Sequence, residues 1–423
     1  MTNDVERNHH DLLNELNKKI TVSEKIAFLH RVSLQSCDFI HRIGVAVYDS
    51  KSDMLKTFAH SSDDASPLQY YQAKLSQAKS LYQIFVNGKP RVVNDLSVFN
   101  NSKHEHAKRI KTHGYRSSYT VPMYQNEELT GFVFFNSRDA GVFQEEKLPN
   151  LDMIARLISL LVSMEHNQVR TLQGALRSAT CFSGHKDPET GAHLERMARF
   201  SRLIAREIAQ EYGLSDEFVE AIFWFAPMHD IGKIAIPDRI IRKPGKLTKK
   251  EFEVMKTHST KGRDILNTML GNFNLDGSGF ASMIANIAEF HHENIDGSGY
   301  PKGLKGEEIP IEARIIAVAD VFDALTSKRS YKNAWSNEDA FATLRTMSAW
   351  KLDSKCVDIL MKHGEEITEI QTQFMDDADN ETSGDDLFEI ASTTSDQNNM
   401  SPWCRRSNDS FGDFELFDSD CPL

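Results

Sequence analysis

The feature that most constrains the fold is a carboxylate in the middle of an apolar helical segment. The segment 313–325 reads ARIIAVADVFDAL, and the neighbours of Asp320 in it are apolar all round. A helix of this kind is expected to be buried. A buried carboxylate is costly without a compensating charge, and a metal ion is one such charge. The segment therefore predicts a buried helix that brings Asp320 to an ionic site.

Candidate metal ligands recur through the same part of the chain. They are Glu189, His193, His229, Asp230, His258, His291, His292 and Asp320. Taken alone, a histidine at a helix end is more often a cap or a satisfied core residue than a ligand. The spacing nevertheless favours convergence, because residues four apart share a helix face, as Glu189 and His193 do in a helix. The adjacent histidines 291–292 are awkward to bury unless something takes both lone pairs.

The chemistry of this set indicates which ions it suits. Mixed imidazole and carboxylate ligands favour Fe, Mn or Zn over Ca or Mg. The set contains no cysteine, which argues against a structural zinc site. One ion cannot use all eight side chains and leave room for a substrate, whereas two or three ions can, with Asp230 as a bridge. We therefore expect two or three divalent metal ions.

The region that carries these residues, 183–370, is expected to be an all-α domain. Apolar residues with helical spacing form one stripe, which consists of Leu194, Met197, Phe200, Leu203, Ile204 and Ile208. Ser215 is placed to cap a following helix over 216–233. Further helical runs are expected at 249–269, 280–292, 310–327 and 337–349.

The preceding region, 20–165, mixes strand and helix signals and predicts an α+β domain with an antiparallel sheet. Ile43, Val45 and Val47 alternate in a manner typical of a half-buried strand. Two strands are expected around a polar turn at 125–127. Residues 146–182 predict one long connecting helix, which either packs on its own domain or forms the seam of a homodimer.

Charge and cysteine content exclude several classes of protein. The net charge is −12, but residues 376–423 hold 13 acidic residues against Arg405 and Arg406, so the rest of the chain is nearly neutral. A nearly neutral domain is unsuited to duplex nucleic acid. The five cysteines are scattered, and no apolar run is long enough to span a bilayer, so we expect a cytoplasmic protein. Residues 1–19 are expected to be a flexible N-terminus, and 376–423 a disordered acidic tail.

Four ordered motifs make the helical region similar to a known family. HDIGKIAIPD, HSTKG, HHENIDGSGYPKGLKGEEIP and ARIIAVADVFDALTSKRSYK resemble, in this order, the HD-GYP family of HD-superfamily phosphohydrolases. The resemblance covers about 183–335. It implies an all-α domain with a metal centre and cyclic di-GMP phosphodiesterase activity in bacteria, with linear pGpG and then GMP as products.

Carried over residue by residue, the resemblance assigns all eight candidate ligands to the metal centre. Because this chain has Glu189, where some members lack a glutamate, the resemblance favours a trinuclear centre of iron or manganese. It makes His229, Asp230 and Lys233 catalytic, with Lys233 also on the scissile phosphate. The expected substrate contacts are Lys233, Gly299, Tyr300, Pro301, Arg329 and Lys332.

The resemblance also concerns two further aspartates, and the sequence departs from the family pattern at two positions. Asp187 and Asp323 are candidates for residues that support the ligands without binding metal. Ile295 stands where the family often has an aromatic residue, and Ser330 where it often has proline. Neither departure removes a ligand or a charge, so they bear on base selectivity and loop stiffness rather than on the catalytic class.

In the N-terminal region, the segments SLYQIFVNGKPRVVNDL, GYRSSYTVPMY and LTGFVFFNS are followed by a closing helix. In this order they resemble a GAF-type sensory domain. This resemblance implies either a small-molecule effector or a structural, dimerising role. For the helical region, two alternatives to cyclic di-GMP hydrolysis stay open, namely hydrolysis of a hybrid cyclic GMP–AMP and a receptor that binds a cyclic dinucleotide without cutting it.

Overall fold

The structure is a computed structural model that describes residues 12–63, 68–99, 109–110, 112–182, 191–327 and 334–375. The acidic segment 376–423, most of the N-terminal segment 1–19, and the site candidates Asp187, Glu189, Arg329 and Lys332 lie outside these residues.

Six strands of the described residues form one antiparallel sheet in the N-terminal domain. They are Arg42–Asp49 (β1), Met54–Ser62 (β2), Gln72–Lys74 (β3), Arg91–Val93 (β4), Ser117–Gln125 (β5) and Glu128–Ser137 (β6), in the order β3-β2-β1-β6-β5-β4. The predicted turn between β5 and β6 is confirmed. Asn126 and Glu127 both have positive φ, of 50° and 69°, which suits a tight hairpin.

The expectation that β1 is half-buried is wrong, because both faces of this strand are covered. Among the described residues, the helices of this domain are Leu12–Leu16 (α1), Val22–Ser33 (α2), Lys79–Asn87 (α3) and Leu148–Phe182 (α4). Ile43, Val45 and Val47 pack in a core shared with α2 and α4. Ala46, on the opposite face, packs beneath α3. Small residues on the second face let a helix approach where polar side chains would have faced water.

Helix α4 belongs to two cores in succession. Its first half, including Leu151 and Ile158, packs on the sheet. Its second half, including Leu172, packs in the core of the helical domain. The structure thus shows the packing of this helix on its own chain. Met153 and Leu160 are exposed on it, and the homodimer stays a prediction.

The C-terminal domain is helical. Its helices are Gly191–Tyr212 (α5), Asp216–Phe225 (α6), Asp238–Ile241 (α7), Lys249–Lys256 (α8), His258–Asn272 (α9), Ala281–Phe290 (α10), Ile311–Thr326 (α11), Asn337–Met347 (α12), Ser354–Lys362 (α13) and Gly364–Gln373 (α14). Helices α5, α6, α10 and α11 supply most of its core. Within the described part of the chain, no helix has the length and apolarity needed to cross a membrane.

Two of the predicted helices are interrupted, and both breaks matter for the site. The predicted cap is confirmed, since the Ser215 hydroxyl accepts from Phe218 N–H at 3.1 Å. Helix α6 then ends at Phe225 rather than continuing to 233, because Pro227 lacks the N–H that an α-helix needs. Two short 3-10 turns follow, Ala226–Met228 and Ile231–Ala235.

The second break divides the run expected over 249–269. The hydroxyl of Thr257 donates to the carbonyl of Val254 at 2.6 Å, in competition with the helical hydrogen bonds. Helix α9 therefore begins anew at His258.

Candidate metal centre

Every candidate ligand that the structure describes comes from the end of a helix or from a buried helix face. His193 lies in the first turn of α5, and His258 is the first residue of α9. His229 and Asp230 lie between the two 3-10 turns. The remaining ligands are His291 and His292, directly after α10, and Asp320 on α11. Because these ends meet in the core, residues far apart in the sequence converge.

A glycine contact sets the approach of two of these segments. A Cβ on Gly232 would lie 1.8 Å from the carbonyl oxygen of His258. Gly262, one turn further along α9, lies against the backbone of Gly232. Only a residue without a side chain permits this approach. The glycine of the HDIGK motif thus brings Asp230 and Lys233 next to His258.

The convergent atoms fall into two groups, which we call the metal cluster. One ligand atom from each of Asp230, His258, His291 and His292 lies within 4.8 Å of the others, and the same holds for His193, His229 and Asp320. The groups meet where His229 Nε2 lies 3.2 Å from Asp230 Oδ2. The structure therefore brings together seven of the eight predicted ligands, and Glu189 lies outside the described residues.

Hydrogen bonds fix which nitrogen of four histidines faces the cluster. The Nδ1 atoms of His229 and His258 lie 3.0 and 2.8 Å from the backbone carbonyls of Ala226 and Met255. That of His291 lies 3.0 Å from the carbonyl of Ile287. A carbonyl oxygen only accepts, so each Nδ1 carries the proton. In a neutral imidazole the other nitrogen, Nε2, then presents a lone pair.

The same arrangement at His193 uses a buried aspartate. His193 Nδ1 lies 2.6 Å from Oδ2 of Asp323, which is fully buried. Arg196 donates from Nε to Asp323 Oδ1 at 2.7 Å, and Ser327 donates to Oδ2 at 2.8 Å. Burial raises the pKa of Asp323, but His193 and Arg196 outweigh it and lower that pKa below its usual value. Asp323 therefore stays ionised and orients His193 from behind.

The lone pairs that result face one another. His258 Nε2 lies 3.4 Å from His291 Nε2 and 3.1 Å from Asp230 Oδ1. His291 Nε2 lies 3.7 Å from the same carboxylate oxygen. Acceptors at these distances repel unless a cation lies among them. The donor set therefore fits a metal ion, and imidazole with carboxylate is a set that suits divalent transition metals.

Protonation favours metal binding as well. Burial raises the pKa of Asp230, but Lys233 and His229 outweigh it and hold this pKa well below its usual range. Lys233 Nζ lies 2.8 Å from Asp230 Oδ2. Burial lowers the pKa of His291 and that of His292, and His291 lowers the latter further. An ionised carboxylate beside neutral imidazoles is the protonation state that binds metal.

Comparison with protein families divides the chain in two. The sequence family described as HD domain matches residues 188–356. The sequence family described as GAF domain matches residues 29–162. The metal cluster lies inside the first of these ranges. The chain therefore has an N-terminal GAF domain and a C-terminal HD domain.

Curated proteins are similar to about half of this chain. The cyclic di-GMP phosphodiesterase response regulator RpfG of Xanthomonas campestris is 43% identical over 224 residues, which cover 53% of this chain and 55% of RpfG. A cyclic di-GMP phosphodiesterase of Thermotoga maritima is 45% identical over 195 residues, or 46% of this chain and 50% of that protein.

A third relative carries a different substrate in its name. The 3'3'-cGAMP-specific phosphodiesterase 2 of Vibrio cholerae is 40% identical over 263 residues, or 58% of this chain and 48% of that protein. This chain spans about half the length of the curated relatives it matches.

The loop after the paired histidines of the HD domain forms one wall of the site. The Tyr300 ring lies 4.8 Å from that of His292 between centroids, and Tyr300 N–H donates to the His292 carbonyl at 3.2 Å. A Cβ on Gly299 would lie 2.2 Å from the backbone nitrogen of Asn294. Pro301 follows Tyr300 in the same loop and is half-buried.

Sequence reasoning missed the residue that holds this loop in place. Glu293, 3% exposed, accepts N–H groups of Lys302 at 2.7 Å, Gly303 at 3.1 Å and Leu304 at 3.1 Å. It also missed Arg196, which holds Asp323. A glutamate beside two histidines has the sequence signal of a ligand, so only the fold shows that Glu293 faces backbone instead.

The remaining candidates are only partly placed. Asp187, Glu189, Arg329, Lys332 and the departure at Ser330 lie outside the described residues. The other departure, Ile295, is half-buried and packs beside Phe290 and Ile309. Its N–H donates to the carbonyl of Lys351 at 3.1 Å.

Proposed function

We propose that this chain is a metal-dependent phosphodiesterase that hydrolyses cyclic di-GMP to linear pGpG and then to GMP. The observation that carries the proposal is the metal cluster, in which oriented Nε2 lone pairs of several histidines converge with carboxylate oxygens of Asp230 and Asp320. A protein that only binds a nucleotide has little need for such a set. The names of RpfG and of the relative from Thermotoga maritima favour cyclic di-GMP as substrate.

His193, His229, Asp230, His258, His291, His292 and Asp320 would hold the metal ions. Divalent ions, when bound, supply Lewis acidity toward a phosphodiester and lower the pKa of water. We propose iron or manganese, which the family resemblance favours and which imidazole and carboxylate donors suit. The two groups of ligand atoms suit at least two ions, and Glu189 would complete a third site.

The remaining side chains would act on the substrate directly. Lys233 is part-exposed beside Asp230 and would pair with a non-bridging phosphate oxygen, stabilising the charge that grows there. Tyr300, packed on His292, would position the nucleotide next to the metal cluster. We propose Arg329 and Lys332 as further phosphate contacts and Gly299 and Pro301 as the backbone that shapes the pocket.

We further propose that residues 20–165 form the sensory domain, 146–182 the connecting helix and 183–370 the phosphodiesterase domain. The first part would sense and the last would catalyse, with the connecting helix between them. GAF domains commonly bind small molecules, so an effector at this domain would regulate turnover. Cytoplasmic location and a homodimer belong to the same proposal.

The test is metal analysis joined to turnover. The full chain is purified under nitrogen, its metal content is measured, and cyclic di-GMP hydrolysis is followed by chromatography of pGpG and GMP. Chelation should abolish turnover, and Fe or Mn should restore it. Turnover that survives removal of all metal would contradict the proposal. Binding without product at full metal content would favour the receptor alternative.

A second candidate substrate is 3'3'-cGAMP, because the Vibrio cholerae relative named for it is 40% identical. Equal concentrations of the two dinucleotides, offered together to one metal-loaded sample, decide between them. A kcat/KM at least about tenfold higher for cyclic di-GMP, a difference of about 1.4 kcal/mol, would support our assignment.

A further inference from the structure

A cavity of about 340 Å³ lies where the GAF domain, the connecting helix and the HD domain meet. Its walls come from the segment 16–25, from α4 at 161–168, from α6 at 215–224 and from the turn at 274–283. It is separate from the metal cluster. This volume is in the range of small-molecule sites, which occur preferentially at domain interfaces.

The floor of the cavity is apolar and largely aromatic. Phe218, Trp224, Phe280 and Phe58 line it. Trp224 and Phe218 are half-buried, so parts of their surface face the cavity. Aromatic faces bind apolar groups and also attract cations through their negative quadrupole.

Two carboxyl groups, those of Glu165 and Glu217, line the cavity, and neither forms an ion pair with the described residues. Glu217 accepts the N–H of Ser23 at 3.2 Å. Glu165 makes no hydrogen bond or ion pair with the described residues. Burial raises the pKa of Glu165, and so does the neighbouring Glu217. Burial likewise raises the pKa of Glu217. Each group would gain from a cation placed between them.

The basic residues of the lining are mostly engaged elsewhere. Lys18 pairs with Glu15 at 2.6 Å and Lys19 with Asp276 at 3.1 Å. Lys25 lies near Glu165 and offsets part of its charge. The polar side of the cavity therefore offers two carboxyl groups and one nearby ammonium group.

We propose that this cavity binds a small organic ammonium compound with an apolar or aromatic body. Its ammonium group lies between Glu165 and Glu217, and its body lies on Phe218 and Trp224. A carboxylate on the same ligand would face Lys25. The shared chemistry is thus an ammonium group with an apolar body, and it could come from a simple amine or from an amino acid.

The position of the cavity gives such a ligand a route to the metal cluster. Helix α6 lines the cavity and leads directly into the turn that carries His229 and Asp230. Helix α10 begins beside Phe280 and ends before His291. An occupant therefore contacts the starts of two segments whose ends hold candidate ligands. The binding proposal itself does not depend on the proposed reaction.

The experiment measures equilibrium binding of three probes to the full chain by calorimetry. The probes are 2-phenylethylamine, L-phenylalanine and 3-phenylpropionate, which share a phenyl body. We expect saturable binding of at least one ammonium probe and much weaker binding of the propionate. Tighter binding of the amine identifies a simple amine, and tighter binding of phenylalanine identifies an amino acid.

Two variants and a control locate the site. Glu165→Gln should weaken the ammonium probe by at least about tenfold, because it removes a charged hydrogen-bond partner. Glu145→Gln, at an exposed glutamate before α4, should leave binding unchanged. Met164 is 56% exposed at the cavity, so Met164→Lys should fold normally and weaken the ammonium probe by repulsion.

Three results would overturn the proposal. The first is that neither ammonium probe binds. The second is that 3-phenylpropionate binds as tightly as the ammonium probes. The third is that both Glu165→Gln and Met164→Lys bind the ammonium probe with wild-type affinity.

Discussion

The metal cluster and the contact between the two domains are both buried and both charged, but their polar atoms meet different partners. In the interdomain ion network, which we define as Asp49, Lys56, Arg199, Arg202 and Glu220, each acid faces a cation. Arg202 lies 2.6 Å from Glu220, and Arg199 lies 2.8 Å from Asp49. In the metal cluster, apart from the contact of Lys233 with Asp230 Oδ2, acceptor atoms of different residues face one another.

This difference distinguishes buried charges that are paired within the chain from buried acceptors that suit a bound ion. Asp49 and Lys56 belong to the sheet of the GAF domain, whereas Arg199, Arg202 and Glu220 belong to α5 and α6 of the HD domain. Two acids and three cations approach one another where the domains meet, so each acid of the network is paired within the chain. The metal cluster, by contrast, brings together ligand atoms that could hold metal ions. Helix α5 takes part in both, since it carries His193 as well as the two arginines.

The largest expected effect comes from removing the carboxylate shared within the metal cluster. Asp230→Ala should lower turnover by more than about 100-fold, the upper limit for residues that only support a ligand. The metal-free variant should remain folded, because the change removes an acceptor that lies near other acceptors, and Lys233, which loses this contact, is part-exposed to solvent. Turnover and bound metal are measured on the same sample.

The matched control for this change is Asp358→Ala, at an exposed aspartate on α13. It should keep wild-type turnover and metal content. If metal-replete Asp230→Ala kept near wild-type turnover, the metal cluster would not depend on this carboxylate, and its proposed role in catalysis would be wrong.

The next effect tests the other side, where removing one partner should destabilise rather than inactivate. Arg202→Ala leaves Glu220, which is 1% exposed, without its closest cation. Breaking a buried pair in this way costs about 3–5 kcal/mol of the free energy of unfolding. Urea unfolding measures the loss, and metal content per folded chain should not change.

A double variant separates pairing from burial. Arg202→Met with Glu220→Leu removes both charges and should recover most of the stability, because an apolar pair needs no compensation. A double variant as unstable as Arg202→Ala would show that the arginine contributes by packing, and the contrast with the metal cluster would be lost.

A smaller effect should follow from the residue that orients His193. Asp323→Asn removes the charge that holds the Nδ1 proton, and we expect metal affinity to fall by about 10–100-fold. Ser327→Ala is the matched control, because it removes one donor to Asp323 and keeps the carboxylate. Titration against a competing chelator measures both. Equal affinities for Asp323→Asn and the wild type would show that His193 needs no such support.

The sequence alone predicted the helical domain and most of the candidate site for a physical reason. Imidazoles at helix ends, such as His258 and His291, and a carboxylate inside an apolar helix, such as Asp320, must either find partners or meet a cation. The pattern of the residues therefore limits where those ends can lie. The hairpin turn at Asn126 was predictable for a similar reason, since few residues tolerate its backbone conformation.

Contacts across long sequence distances were not predictable in this way. Asp323 lies 130 residues from His193, and only the packing of α11 on α5 brings them together. Arg199 and Arg202 have the spacing of a solvated helix face, and the neighbouring domain covers them. Lys56 is a charged strand residue that would be expected to face water, yet it is 3% exposed.

The smallest expected effect concerns Lys56 and is measured as the pH dependence of the free energy of unfolding. Burial lowers its pKa from 10.5 to about 8, although Glu220 and Asp49 lie nearby. Between these two values the unfolded chain binds more protons than the folded chain, so the stability contributed by Lys56 rises with pH. Relative to Lys56→Met, the wild type should gain about 2 kcal/mol in free energy of unfolding from pH 7.5 to 9.5. No relative gain over this range would mean that pairing with the two acids outweighs burial and keeps Lys56 protonated in the folded chain.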